Sequence, residues 1–411
     1  MLVIGKGALT RDGPGPDVER VRRGLKVIVF EQTAKVLEER FGFRIAEYGL
    51  RQVFPRVPGH PLLMGLEEEH LRDWRGNATI LAPRLQYTLR PRYGPTVRWC
   101  GIEVPRAWRC GCRGNVASVL IEKPARGDFL SIVEGGFGLQ YSPLLEYREG
   151  QGMVLFCQMD VTGRTEMDPA ADQLTWNIIR YVSGWKAPPS RKAIYVGEAA
   201  GKKHLESAGL KLGSFSKEEL AADPVLIAAP GSGQKLAGEA VAIRNWLKGG
   251  GHLLALGLDG AEATTFVSGK ITMKKQEYIS SFFEPLGMNS LLRGIGPGDV
   301  HNRDPRQIPL VTDGAIVIGN GILAKANDAN IVFCQLVPWQ FDNSKQMNLR
   351  RTFRRVSCLV TRLAANMGAG VSTPILARFR RPVEASEKRW LEGLYLDVPQ
   401  EWDDPYRFFR W

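Results

Sequence analysis

The sequence is poor in cysteine, in histidine and in long apolar runs. Six cysteines in 411 residues are too few and too scattered for the disulfide framework of a small secreted module. Five histidines, with no His-Glu-x-x-His phrase and no pair at ligand spacing, leave the histidine-based metalloenzyme classes without a motif. No window approaches the roughly 18 uninterrupted apolar residues of a membrane-crossing helix. The opening MLVIGKGALTRDGPGP shows no basic leader followed by a long apolar run, so no signal peptide is visible and the compartment stays open. What is present suits folding: 44% of residues are hydrophobic, too many for a disordered chain. At about 150 residues per domain the length suggests two or three domains.

Lys and Arg number 55 against 43 Asp and Glu, a net charge of +12. Such a balance fits nucleic-acid or membrane-surface binding, and arginine runs occur at Arg350, Arg351, Arg354 and Arg355 and again at Arg378, Arg380 and Arg381. Yet Arg351, Arg354, Arg355 and Arg362 recur at helical spacing beside Phe353, Val356, Leu359 and Val360. That pattern predicts the solvated side of an amphipathic helix. No RNA- or DNA-binding spacing appears, so nucleic acid is not the expected partner.

An internal repeat organises the chain. MVLFCQMD at 153–160 resembles NIVFCQLV at 330–337, with Cys157 and Cys334 standing 177 positions apart. Each is followed by a polar loop and a helical pattern, LTWNIIRYV at 174–182 and VSCLVTRLAANMG at 356–368. Upstream, LVIGKG and GLKVIVF match VLIAAPGSG and GGGHLLALG. Short β-branched runs alternating with helices predict an α/β fold with mostly parallel sheets covered on both faces. The expected division is 1–187 and 188–370, joined through SGWKAPPSRK, then an aromatic and basic extension at 371–411 that packs on a domain or a partner. KAIYVGEAAGKKHLESAG at 192–209 has no counterpart in the first copy, whose first strand is therefore expected to be missing.

GLKVIVFEQTAKVLEERFGF resembles the strand, elbow and helix of class I glutamine amidotransferases, and implies two tandem flavodoxin-like domains of that kind. The resemblance places Glu31 and Gly257 where a nucleophilic Cys would stand. Neither supplies a thiolate, so amidotransferase chemistry is not expected. Glu31 remains a site candidate because ligands of open α/β sheets bind at strand carboxyl ends; the plainer account is an acid favoured by a helix N-terminus. Asp160, Glu166 and Asp304 are the other acids near expected strand ends. Cys100, Cys110 and Cys112 form a weak metal candidate, since a single Cys-x-Cys lacks its partner pair. GDVHNRDPRQIP gathers His301, Asn302, Arg303, Asp304 and Arg306, and Trp339 follows the second FCQ strand. Fork donors, carboxylates and a flat aromatic suit a sugar; they also suit an ordinary loop between domains. No cofactor is implied.

Longer phrases, among them DWRGNATIL, LQYSPLLEYREGQGMVLFCQMDVTGRTEMDPAA, VFCQLVPWQFD, MNLRRTFRRVSCLVTRLAANMG and DDPYRFFRW, resemble the C-terminal portion of large bacterial glycoside hydrolase family 2-like, or β-galactosidase-like, proteins. The resemblance implies that sugar-binding and catalytic barrel domains lie in the same chain or in a partner subunit. It also implies a non-catalytic amidotransferase-like module serving assembly, homo-oligomerisation included, and carbohydrate contact. A retaining glycosidase needs two carboxylates about 5 Å apart, and no eightfold βα series occurs to carry them. A self-sufficient glycosyl hydrolase using the acids above is the alternative, and a basic nucleic-acid-binding protein the second alternative.

Overall fold

A computed structural model describes residues 1–77, 87–90, 94–99, 102–105, 113–382, 389–399 and 404. It is an α/β structure built on two large sheets. The first contains β1 (Leu2–Ile4), β2 (Lys26–Val29), β3 (Ile45–Leu50), β4 (Phe54–Pro55), β5 (Ala117–Glu122), β6 (Asp128–Gly135), β7 (Tyr141–Glu149) and β8 (Gly152–Cys157). Its order is β1-β2-β8-β7-β5-β3, with β6 joining β7 to β4. Only β1, β2 and β8 run parallel. The remaining pairings are antiparallel, and β7 turns into β8 through a tight hairpin that pairs Glu149 with Gly152. The expectation of mostly parallel sheets therefore fails here: the sheet is mixed. β5, β7 and β8 are buried on both faces, and two-sided burial removes the alternation that marks an antiparallel strand.

Helix α1 (Pro169–Gly184) follows β8, with Asp168 capping it through the amides of Ala170 and Ala171. Its Leu174, Ile178 and Val182 cover one face of the first sheet over Ile28 and Leu155. The other face, Val27, Val29, Val154 and Phe156, is closed by Phe41, Phe43 and the C-terminal extension: Ile375, Leu376, Phe379, Trp390, Leu394 and Tyr395 share one buried cluster with it.

The second sheet begins after the segment 185–192. It comprises β9 (Ala193–Val196), helix α2 (Ala199–Ser207), β10 (Leu212–Ser214), β11 (Val225–Ala228), α3 (Gly233–Ala237), α4 (Ala240–Lys248), β12 (His252–Leu256), α5 (Gly260–Phe266), β13 (Ile316–Ile318), β14 (Leu323–Lys325) and β15 (Asn330–Cys334). Five strands, β10-β9-β11-β12-β15, run parallel, and β14 and β13 extend the edge antiparallel. Helices α3, α4 and α5 cover one face through Leu236, Ile243, Leu247 and Phe266.

The other face is covered by α2 and by the long α6 (Met347–Asn366), whose Phe353, Val356, Leu359, Val360 and Leu363 are buried there. The opposite side of α6 is not solvated. Arg362 pairs with Asp128 at 2.6 Å, Thr361 donates to the Ala125 carbonyl at 2.9 Å, and Arg354 meets Asp397 at 2.7 Å. Arg354 and Arg362 keep only 4% of their side-chain surface exposed. The expected solvated arginine face is thus the seam between the two halves, because a central helix has no water-facing side to give its charges.

Candidate functional site

The carboxyl ends of β1, β2 and β8 gather a polar cluster. Val27, Ile28 and Val29 drive β2 into the core, so the chain must turn immediately after Phe30, and Glu31 lies buried at that turn. Its carboxylate accepts from the Thr162 amide at 2.8 Å and from the Thr162 hydroxyl at 2.7 Å. Burial pushes the Glu31 carboxyl above its usual range, against those hydrogen bonds and the nearby Lys6. The helical turn begins only at residue 34, so the acid braces the loop after β8 rather than serving a helix dipole. Asp160 sits beside it, paired with Lys6 at 3.4 Å and facing Arg164 at 3.8 Å.

Gln32 and Gln158 lock the two loops together: the Gln158 side chain accepts from the Gln32 amide at 2.8 Å and donates to its carbonyl at 3.2 Å. These glutamines, with Lys6 and Thr162, were not singled out from the sequence. The signal existed, since Gln158 and Gln335 both follow the repeated Phe-Cys pair. Of the four candidate acids the structure brings together Glu31 and Asp160. Glu166 is exposed on the following turn, and Asp304 belongs to the other half.

In the second half the matching turn is Gly257, directly after β12. Its φ of +61° is left-handed, and an added Cβ would meet Val337 at 3.1 Å. The turn has a left-handed backbone and no side chain. Cys157 and Cys334 lie buried in strands; burial pushes the first thiol far up and the second up to about 12. Neither is a nucleophile near neutral pH.

Asn302 and Asp304 are buried and engaged by the protein itself: Asn302 donates to the carbonyl of Asp304 in its own loop and to that of Tyr278 in a neighbouring segment, and Asp304 accepts from the Arg306 amide and pairs with its guanidinium. Arg303 is exposed. His301 is half-buried among Arg355, Arg303 and Arg351, and burial with those charges lowers its pKa. The Arg306 guanidinium lies 5.5 Å from the Phe341 ring, so this loop adjoins the segment bearing Trp339. Trp339 itself donates to Glu198 at 2.5 Å and stands 5.8 Å from His204. Cys100, Cys110 and Cys112 lie outside the described residues. Among the described residues no group of three or more His, Cys, Asp or Glu side chains is placed to hold a metal ion.

Two features join the halves. Lys123 reaches Glu134 at 2.8 Å and Asp299 at 2.5 Å, while Arg56 holds the other Glu134 oxygen at 2.8 Å. Burial works to lower the Lys123 ammonium, but Asp299 and Glu134 carry it well above its usual value. A cleft of about 470 Å³ opens beside the connecting segment, lined by Asp128, Arg148, Trp185, Arg191 and Lys192 among others. Several of its charges are paired, Arg148 with Glu146, Asp128 with Arg362, Arg191 with Asp223 and Lys192 with Glu219. It also lies where β9 begins, opposite the carboxyl ends of the second sheet's parallel strands.

No family model matches the chain, and no curated protein or solved structure matches it either.

Proposed function

We propose that the chain is a non-catalytic, tandem amidotransferase-like module that serves assembly and carbohydrate contact in a β-galactosidase-like glycoside hydrolase system. The observation that carries the non-catalytic part is the state of the two elbows. Gly257 has no side chain, and Glu31 is committed to Thr162. The tandem, flavodoxin-like part is supported by the order β10-β9-β11-β12-β15, which is the 2-1-3-4-5 order of flavodoxin-like folds. It is supported again by the like arrangement of β1, β2, β8 and α1 with β11, β12, β15 and α6. The link to glycoside hydrolases rests on the resemblance of the long sequence phrases, and fold alone does not carry it. Partner domains are therefore hydrolase and sugar-binding domains, in cis or in trans.

The test is activity of the purified chain. Neither glutamine nor aryl β-glycosides should be hydrolysed above background. A glycosidase rate that disappears in Glu31→Gln or Asp160→Asn would overturn the reading in favour of a self-sufficient hydrolase. Carbohydrate contact predicts a thermal shift with galactosides that Trp339→Phe or Arg306→Ala reduces; no shift across a glycan panel removes that part. Nucleic-acid binding is disfavoured, because Arg354 and Arg362 are consumed in the seam.

A further inference from the structure

The two halves differ at one sheet edge, and each serves as a template for the other. In the second half β11 is paired on both sides, by β12 and by β9. Helix α2, which follows β9, lies over the same face as α6. Beneath it Ile227, Phe353 and Val356 are 0%, 9% and 0% exposed, and the Phe353 ring stands 5.7 Å from His204 of α2.

The equivalent positions in the first half follow from register and spacing. Val3 pairs with Ile28 as Ile227 pairs with Leu254. Trp176 and Ile179 stand at the same separation from Phe353 and Val356 as Cys157 does from Cys334. These three are 50%, 62% and 38% exposed. Among the described residues nothing pairs with the outer edge of β1. The end of α1 lies alongside that edge, with the Ser183 hydroxyl 3.8 Å from the Met1 sulfur. An unpaired strand with a tryptophan and aliphatic side chains exposed beside it is what a sheet edge presents to an added strand.

We propose that this edge docks a strand–helix segment that lies outside residues 1–411: an apolar strand adds in parallel to β1, and its helix lays small and apolar residues over Val3, Trp176 and Ile179. The chemistry of the occupant is that of β9 and α2, a four-residue run AIYV followed by a helix that buries Gly201 and Leu205. A second copy of this chain does not offer that segment, since its own β9 is held between β10 and β11. The proposal deepens the assembly reading and rests on it for its purpose. Its test reads the β1 edge directly, whereas the assembly reading fails on the activity assays.

The probe is a synthetic peptide of residues 190–209, added to the full chain and followed by hydrogen exchange. Slower exchange in residues 2–5 and 174–183 is expected. Trp176→Asp, a change at an exposed position that leaves circular dichroism intact, should weaken that protection by about tenfold or more, as loss of a central aromatic anchor does. A peptide carrying Ile194→Asp should not protect. Absence of protection at β1 with millimolar peptide overturns the proposal. So does protection that appears without peptide and grows with protein concentration, because the occupant would then be a second copy.

Discussion

Asp397 ties the C-terminal extension to both halves, and its removal has a calculable consequence. One carboxylate oxygen accepts from Arg44 at 2.9 Å; the other accepts from Arg354 at 3.0 and 2.7 Å. Glu122 completes the group, 3.1 Å from Arg354 and 3.6 Å from Arg44. All four side chains are at most 8% exposed, so two arginines and two carboxylates balance out of water. Burial alone would raise the Asp397 carboxyl, and Arg354 and Arg44 overcome that to hold it below its usual range. In Asp397→Ala one excess buried cation remains, a loss of about 3–5 kcal/mol. The assay is urea unfolding with the slope monitored alongside the midpoint. Asp397→Leu combined with Arg354→Met, which removes the pair together, should lose less than the two single changes summed. The depressed carboxyl contributes stability that is present above its unfolded-state value and fades as pH falls through the folded one. Parent and Asp397→Ala should therefore converge in acid. An Asp397→Ala protein within about 1 kcal/mol of the parent at neutral pH, the range of a surface pair, would refute the network.

His60 is fully buried; burial lowers its pKa to about 4, Arg148 and Arg293 assist, and Glu146, 3.7 Å away, opposes. Its Nδ1 accepts from the Leu62 amide at 3.2 Å, which requires the neutral ring. Stability should be complete above pH 6.5 and fall by about 3 kcal/mol toward pH 4, at 1.36 kcal/mol per unit; His60→Asn should flatten that slope in pH-dependent melts, and an unchanged slope would count against it. Glu31, shifted the other way, is stabilising below the ordinary carboxylate range and loses that contribution as pH rises through its folded value. Glu31→Gln should remove this decline without changing any hydrolytic background. Gly257→Ala should cost about 1–2 kcal/mol from left-handed strain and the Val337 contact, read as a lower melting temperature, while Gly257→Cys should gain no glutaminase activity.

Much of the framework is readable in the chain's own order. The FCQ repeat, the apolar runs of β2, β12 and β15, and the periodicity of α1 and α6 are local properties: side chains three or four apart share a helix face, and an all-apolar run needs cover on both sides. Glu31 and Gly257, each just past the end of a buried strand, follow from the same alignment. What escaped is what depends on neighbours in space. Near-continuous burial leaves β5 and β6 without an alternation to mark them, and it hides the antiparallel course of β7 and β8 because two-sided burial erases the period of two. The α6 arginines read as solvated because their partners, Asp128, Glu122 and Asp397, come from segments remote in sequence. Glu31 found its purpose in Thr162, which folding carries to it across 131 residues. Periodicity is a property of the peptide backbone and is written wherever the residues are; which charge meets which, and which sheet edge stays bare, depends on how the covered faces stack.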